Sequence, residues 1–178
     1  MGFLEPHERH RRGHGAAPLT VSAAAGPEEA RYEGEVAGDV QGRLPPGPLF
    51  RVHGGGDIAR IAAVARALDR PAVVISNGAI GWHLFAAMIH AGEAEGAPLT
   101  FLFDAGDRAG PAAEALRSGA SWVFSTVGSA QCAALHSLAQ TVHATLLEEL
   151  PERPQDCPCV EDLKQRLLTW HGGDAGQP

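Results

Sequence analysis

Lysine, cysteine and long apolar runs are all scarce in this 178-residue sequence. Lys164 is the only lysine, which removes Schiff-base chemistry from any loop site. Basic residues number 14 against 21 acidic ones, a formal net charge of −7. A general nucleic-acid binder is therefore not expected, because phosphate neutralisation needs a lysine- and arginine-rich face. The single basic run, Arg9 to Arg12, is interrupted by His10 and preceded by Glu5 and Glu8. Cys132, Cys157 and Cys159 are too few, and odd in number, for a disulfide framework, so a reducing cytoplasm is the expected setting. No apolar run approaches the ~20 residues of a membrane helix, so no membrane partner is expected. The alanine- and proline-containing stretch 16–25 lacks the hydrophobic centre of a signal peptide, and Glu5 and Glu8 sit badly in its leader.

Apolar residues make up 44% and charged residues 20%, an ordinary globular balance. The length fits one domain with a real core. Residues 1–46 read as a flexible arm without apolar periodicity, with a short edge hairpin at 31–44 as an option. His7, His10 and His14 in that arm have no fixed geometry in which to hold a metal. Pro45-Pro46-Gly47-Pro48 marks the entrance to the domain, since proline fixes φ and removes donors.

An α/β domain is expected over 47–150, built from four βα units. Apolar strands at 49–52, 72–76, 99–103 and 121–125 each run into a small polar loop and then a helix. Asp57 is read as the N-cap of the first helix. The second helix is expected over 79–94, with Trp82, Phe85, Met88 and Ile89 on its buried stripe. The fourth is expected to run from 129 to 150, with Leu135, Leu138, Val142 and Leu146 inward. Residues 151–158 read as a linker, 160–170 as an amphipathic helix burying Leu163, Leu167 and Trp170, and the remainder as a tail. Alternating strands and helices imply right-handed crossovers and a parallel sheet of about four strands. A three-layer open sandwich is the leading arrangement, and a half-barrel-like (βα)4 with all helices on one side is the alternative. A half-barrel would invite dimerisation.

In either arrangement the loops after the strands meet at one sheet edge, where such folds place ligands. Those loops carry His53, Gly54, Gly55, Gly56 and Asp57, then Asn77 and Gly78, then Asp104, Gly106 and Asp107, then Ser125, Gly128 and Ser129. Each opens onto a helix N-terminus, where backbone N–H groups favour an anion. The same residue types also serve as plain turns and caps.

The run His53-Gly-Gly-Gly56 resembles the oxyanion-hole loop of lipase-type α/β-hydrolases. That family needs a Gly-x-Ser-x-Gly elbow after a later strand, and the serines at 121 and 129 lie in no such motif. No dinucleotide fingerprint or Gly-Lys-Ser/Thr phosphate loop occurs either.

Asp104 ends an apolar strand abruptly and is the acid expected to act, with His53 as base. Gly54, Gly55, Gly56, Asn77, Gly78, Gly106, Asp107, Ser125, Gly128 and Ser129 are the expected binding residues. Cys132, His136 and His143 align along one stripe of the long helix. The first two, Cys132 and His136, could ligate a metal together with Cys157 and Cys159, though nothing in the sequence dictates the necessary fold-back, and no metal is assigned. The expected function is recognition of a small anionic or phosphorylated molecule, with hydrolase- or lyase-type chemistry as an extension and the cofactor unknown. The alternative is a non-enzymatic interaction or homo-oligomerisation module.

Overall fold

The structure is a computed structural model and describes residues 44–92 and 94–170. The arm and the hairpin, up to residue 43, fall outside the described residues, as do His7, His10 and His14. In chain order the elements are β1 (Leu49–Val52), α1 (Gly55–Leu68), β2 (Ala72–Ser76), α2 (Trp82–Ala91), β3 (Leu99–Gly106), α3 (Ala109–Arg117), β4 (Trp122–Ser125), α4 (Ser129–Thr141), β5 (Thr145–Leu147), β6 (Gln155–Asp156) and α5 (Val160–Thr169). The strands form one six-stranded sheet in the order β5-β4-β3-β2-β1-β6, and every pairing is parallel. The α/β class and the parallel sheet are as the sequence implies, with two strands more than the four expected.

Strand order decides where the helices go. From β1 to β5 the chain steps across the sheet in one direction, and right-handed crossovers that never reverse lay all their helices on the same face. The packing agrees. Phe50, Val52, Val74, Phe103, Ala105 and Val123 point into a core shared with Ile58 and Ile61 of α1, Phe85 of α2, Leu116 of α3, Leu135 of α4, and Leu163 and Leu167 of α5. The alternate strand residues Leu49, Val73, Ile75, Leu102 and Leu147 form a separate cluster on the other face, joined there by Leu44, Trp122, Phe124 and Leu150. Among the described residues the helices thus make one layer, the one-sided arrangement that a (βα)4 half-barrel shares.

After β5 the chain returns across the sheet to its opposite edge. Glu152 Oε1 accepts a hydrogen bond from the N–H of Leu49 at 2.7 Å, and Arg166 donates to Glu152 Oε2 at 3.0 Å. β6 then pairs with β1, and α5 packs on α1.

Three expected boundaries change. The fourth helix stops at Thr141 rather than 150, because His143 adopts a left-handed φ of 57° and the following Thr145–Leu147 joins the sheet as β5. The 151–158 linker contains β6, a two-residue strand held by backbone pairing. The second helix is shorter, Trp82–Ala91, closed by Gly92. There α1 and α2 approach so closely that a Cβ on Gly92 would lie 2.6 Å from Ile58 Cγ2. Trp82 is half-buried, stacked edge-on against Phe103 at 5.9 Å and donating its indole N–H to the Ser118 carbonyl.

Candidate functional site

The C-terminal ends of the parallel strands form one rim, and strand alternation divides its side chains between the two faces. On the face away from the helices stand Arg51 and His53 from β1 and its loop, Asn77 after β2, Asp104 of β3 and Asp156 of β6, each in step with the second apolar cluster. On the helix face the equivalent positions are Val52, Ser76, Ala105 and Ser125, all buried.

Asp104 occupies the middle of this rim, half-buried. Its N–H donates to Ser76 Oγ at 2.8 Å, and its Oδ1 accepts from the Gly106 N–H at 2.9 Å. That short return bond accompanies the register shift against β4 between Asp104 and Gly106, and Gly106 takes a left-handed φ of 57°. Gly78 lies flat against the carboxylate, since a Cβ there would come within 3.1 Å of Oδ2. Burial pushes the Asp104 carboxyl above the ordinary range, while the Gly106 bond and the guanidinium charges of Arg51 and Arg108 draw it back. Arg108 Nε donates to the Ala105 carbonyl at 3.3 Å, and its Nη2 makes a very short bond to the Gly78 carbonyl, fastening the β2 and β3 loops together.

His53 stands one loop away with both ring nitrogens engaged. The Asn77 amide meets Nδ1 at 3.2 Å and Asp156 Oδ1 meets Nε2 at 3.3 Å. With Nδ1 accepting from the Asn77 amide, Nε2 carries the proton and donates to Asp156. Asn77 also closes its own turn, accepting from Ala79 N–H through Oδ1 and from Ile80 N–H through its carbonyl.

Asp57 is not the N-cap. Gly54 holds that position, and Asp57, three residues on, accepts from the His53 N–H at 2.9 Å and from Arg60 Nη2 at 2.5 Å. An acid in the first turn suits the helix dipole.

The remaining expected residues separate into two groups. Gly54, Gly56, Gly106 and Gly128 have open space where a side chain would stand, and at Gly106 the N–H and carbonyl are already bonded to Asp104 and to Ser125 and Thr126. Gly55 instead serves helix packing, with a Cβ there 3.2 Å from Ala91 Cβ. Ser125 is fully buried and donates its hydroxyl to the Gly106 carbonyl at 2.9 Å, which turns it inward from the rim. Asp107 and Ser129 are exposed. Neither Arg51 nor Arg108 is among the expected site residues, although Arg108 lies in the loop after β3. Arg51 lies inside a strand, and only the β1–β2–β3 register brings it to the face of Asp104.

The gathering of Cys132 and His136 with Cys157 and Cys159 that the sequence left open does not occur. Cys157 and Cys159 follow β6 at one sheet edge, whereas α4 leads to β5 at the other. A cavity of about 300 Å³ lies on the helix face between α3 and α4, lined by Ala113, Leu135 and Leu138 among others, on the opposite side from Asp104. No protein-family model matches the chain, and no curated protein matches it in sequence.

Proposed function

We propose that the protein binds a small anionic molecule, carrying a phosphate or carboxylate, at the sheet rim on the face turned away from the helices. The observation that carries this reading is the half-buried Asp104 carboxyl, placed against the Gly78 backbone within the field of Arg51 and Arg108. Burial makes this carboxyl easier to protonate than an exposed aspartate, and in its neutral form it can donate to an anionic oxygen. The two guanidiniums supply positive charge, and the open space at Gly54 and Gly128 supports close approach.

The same groups provide what a hydrolytic or lyase step needs. Asp104 would act as acid, and His53, oriented by Asp156, would act as base once a ligand displaces Asn77 from Nδ1. Three free cysteines fit residence in a reducing cytoplasm. Among the described residues the exposed large apolar side chains are Leu84 on α2, Val142 just after α4 and Leu168 on α5.

The test is a backbone-amide NMR titration of the full chain with inorganic phosphate and, separately, with succinate. One of the two should shift the amides of Gly78, Gly106 and Arg108 saturably. Arg51→Gln should weaken that binding at least about fivefold, about 1 kcal/mol, with the rest of the spectrum native. Amides at this rim that stay still with both anions would overturn the proposal.

A further inference from the structure

The other end of the same rim carries a second cluster. Cys132 lies in the first turns of α4 and is almost fully buried, at 5% exposure. His136 follows one turn later on the same side of the helix. Glu148 comes immediately after β5. The crossover brings these together. α4 runs antiparallel to the strand it leads into, so the end of β5 returns beside the first half of α4. His136 Nε2 meets Glu148 Oε1 at 2.9 Å, and the Cys132 thiol lies beside this pair. A sulfur, a nitrogen and an oxygen donor all lie within 4.8 Å of one another.

We infer that Cys132, His136 and Glu148 form a binding site for a zinc-type divalent ion, independent of the anion site at Asp104. A thiolate, an imidazole and a carboxylate are the three donor types that zinc accepts together. In a tetrahedral site, donors ~2.0–2.3 Å from zinc stand roughly 3.3–3.8 Å apart, so His136 and Glu148 would part slightly and no pair begins more than 4.8 Å apart. A bound ion would replace the hydrogen shared by His136 and Glu148, and the thiol proton would leave to solvent as Sγ donates its lone pair. His136 and Glu148 keep substantial exposure, 43% and 59% for their side chains, so a fourth position faces solvent. Three protein ligands with one open position is the arrangement that holds a water or a small ligand on zinc. Cys159 makes its own contact with Asp162, at the far sheet edge, and takes no part.

Cobalt(II) titration of the chelator-treated full chain tests this. The expected result is a near-ultraviolet thiolate-to-cobalt absorption that saturates at one ion per chain and is bleached by zinc. Cys132→Ser should abolish it. His136→Gln and Glu148→Gln should weaken binding at least about tenfold. Glu148 is exposed, so its variant keeps the fold, as far-ultraviolet circular dichroism would verify. The double variant Cys157→Ser/Cys159→Ser should leave the absorption unchanged. The histidines of residues 7–14 cannot mimic the signal, since that stretch has no thiol. An absent thiolate band, or one that survives Cys132→Ser and disappears in the Cys157/Cys159 double variant, would overturn the site.

Discussion

At Asp104 burial and the arginines act in opposite senses, and burial is the larger influence. The carboxyl therefore binds its proton more tightly in the folded protein than in the unfolded chain. The stability linked to that proton is fully present below the unfolded value, near 3.8, and is lost as pH rises through the higher folded value. Asp104→Asn keeps an oxygen acceptor for the Gly106 N–H while removing the charge. The variant should match or exceed the wild type at neutral pH by no more than about 1 kcal/mol, since the group is partly solvated. That advantage should shrink as pH falls, which urea unfolding at several pH values would read. A variant advantage that instead grows as pH falls would reverse the assigned shift. Phosphate binding by the wild type should weaken as pH rises through the Asp104 titration, and Asp104→Asn should flatten that dependence. Glu148 has the opposite sign. Hydrogen bonds from His136 and Cys132 lower its carboxyl, so its linked stability is present above the unfolded value and is lost in acid.

Packing between α1 and α2 turns on two glycines, and here the sequence is a partial guide. Gly55 looks like one more loop glycine, yet its hydrogen faces Ala91, so Gly55→Val tests helix packing and not ligand binding. Gly92 is tighter. A Cβ would stand 2.6 Å from Ile58 Cγ2 and 3.1 Å from the Gly55 carbonyl, and Ile58 is wholly buried. Gly92→Ala should cost about 1–3 kcal/mol, seen as a lower urea midpoint with an unchanged slope. A neutral result would mean that α1 and α2 separate freely. The four βα units were legible because buried strands such as Ala72–Ser76 are continuous apolar runs and each is followed by a turn. β5 was not. Leu135, Leu138, Val142 and Leu146 continue a helical spacing through a break made by His143, at a left-handed φ that glycine or asparagine usually occupies. β6 carries no apolar signal, as both its residues are exposed and its pairing is backbone only. Asp104 could be picked from the sequence because it interrupts an apolar strand, whereas Arg51 and Glu148 gain their roles only from strand order and the return of the chain.

The whole sheet depends on its last segment because of that one-directional winding. Five strands laid down in succession leave β1 as an edge, with half its hydrogen-bonding groups and one side of α1 uncovered. β6 pairs with Phe50 and Arg51, and α5 inserts Leu163 and Leu167 beside α1, at 0% and 2% exposure. The segment also brings Asp156 to His53, so the edge that completes the fold supplies one wall of the rim. Removing residues 151–178 would therefore strip a strand and part of the core, and a change in molecular mass on truncation would report exposed core as readily as a lost dimer contact. Single substitutions separate the two effects. Leu167→Ala should lose about 2–5 kcal/mol through transfer and cavity terms. Leu168→Ala, at an exposed neighbour on the same helix, should stay within about 0.5 kcal/mol. Urea unfolding of the two variants gives the comparison. Equal losses would mean that α5 is not seated on α1 as described. A small loss for Leu167→Ala with a changed sedimentation coefficient for Leu168→Ala would make α5 an association surface in place of a core element.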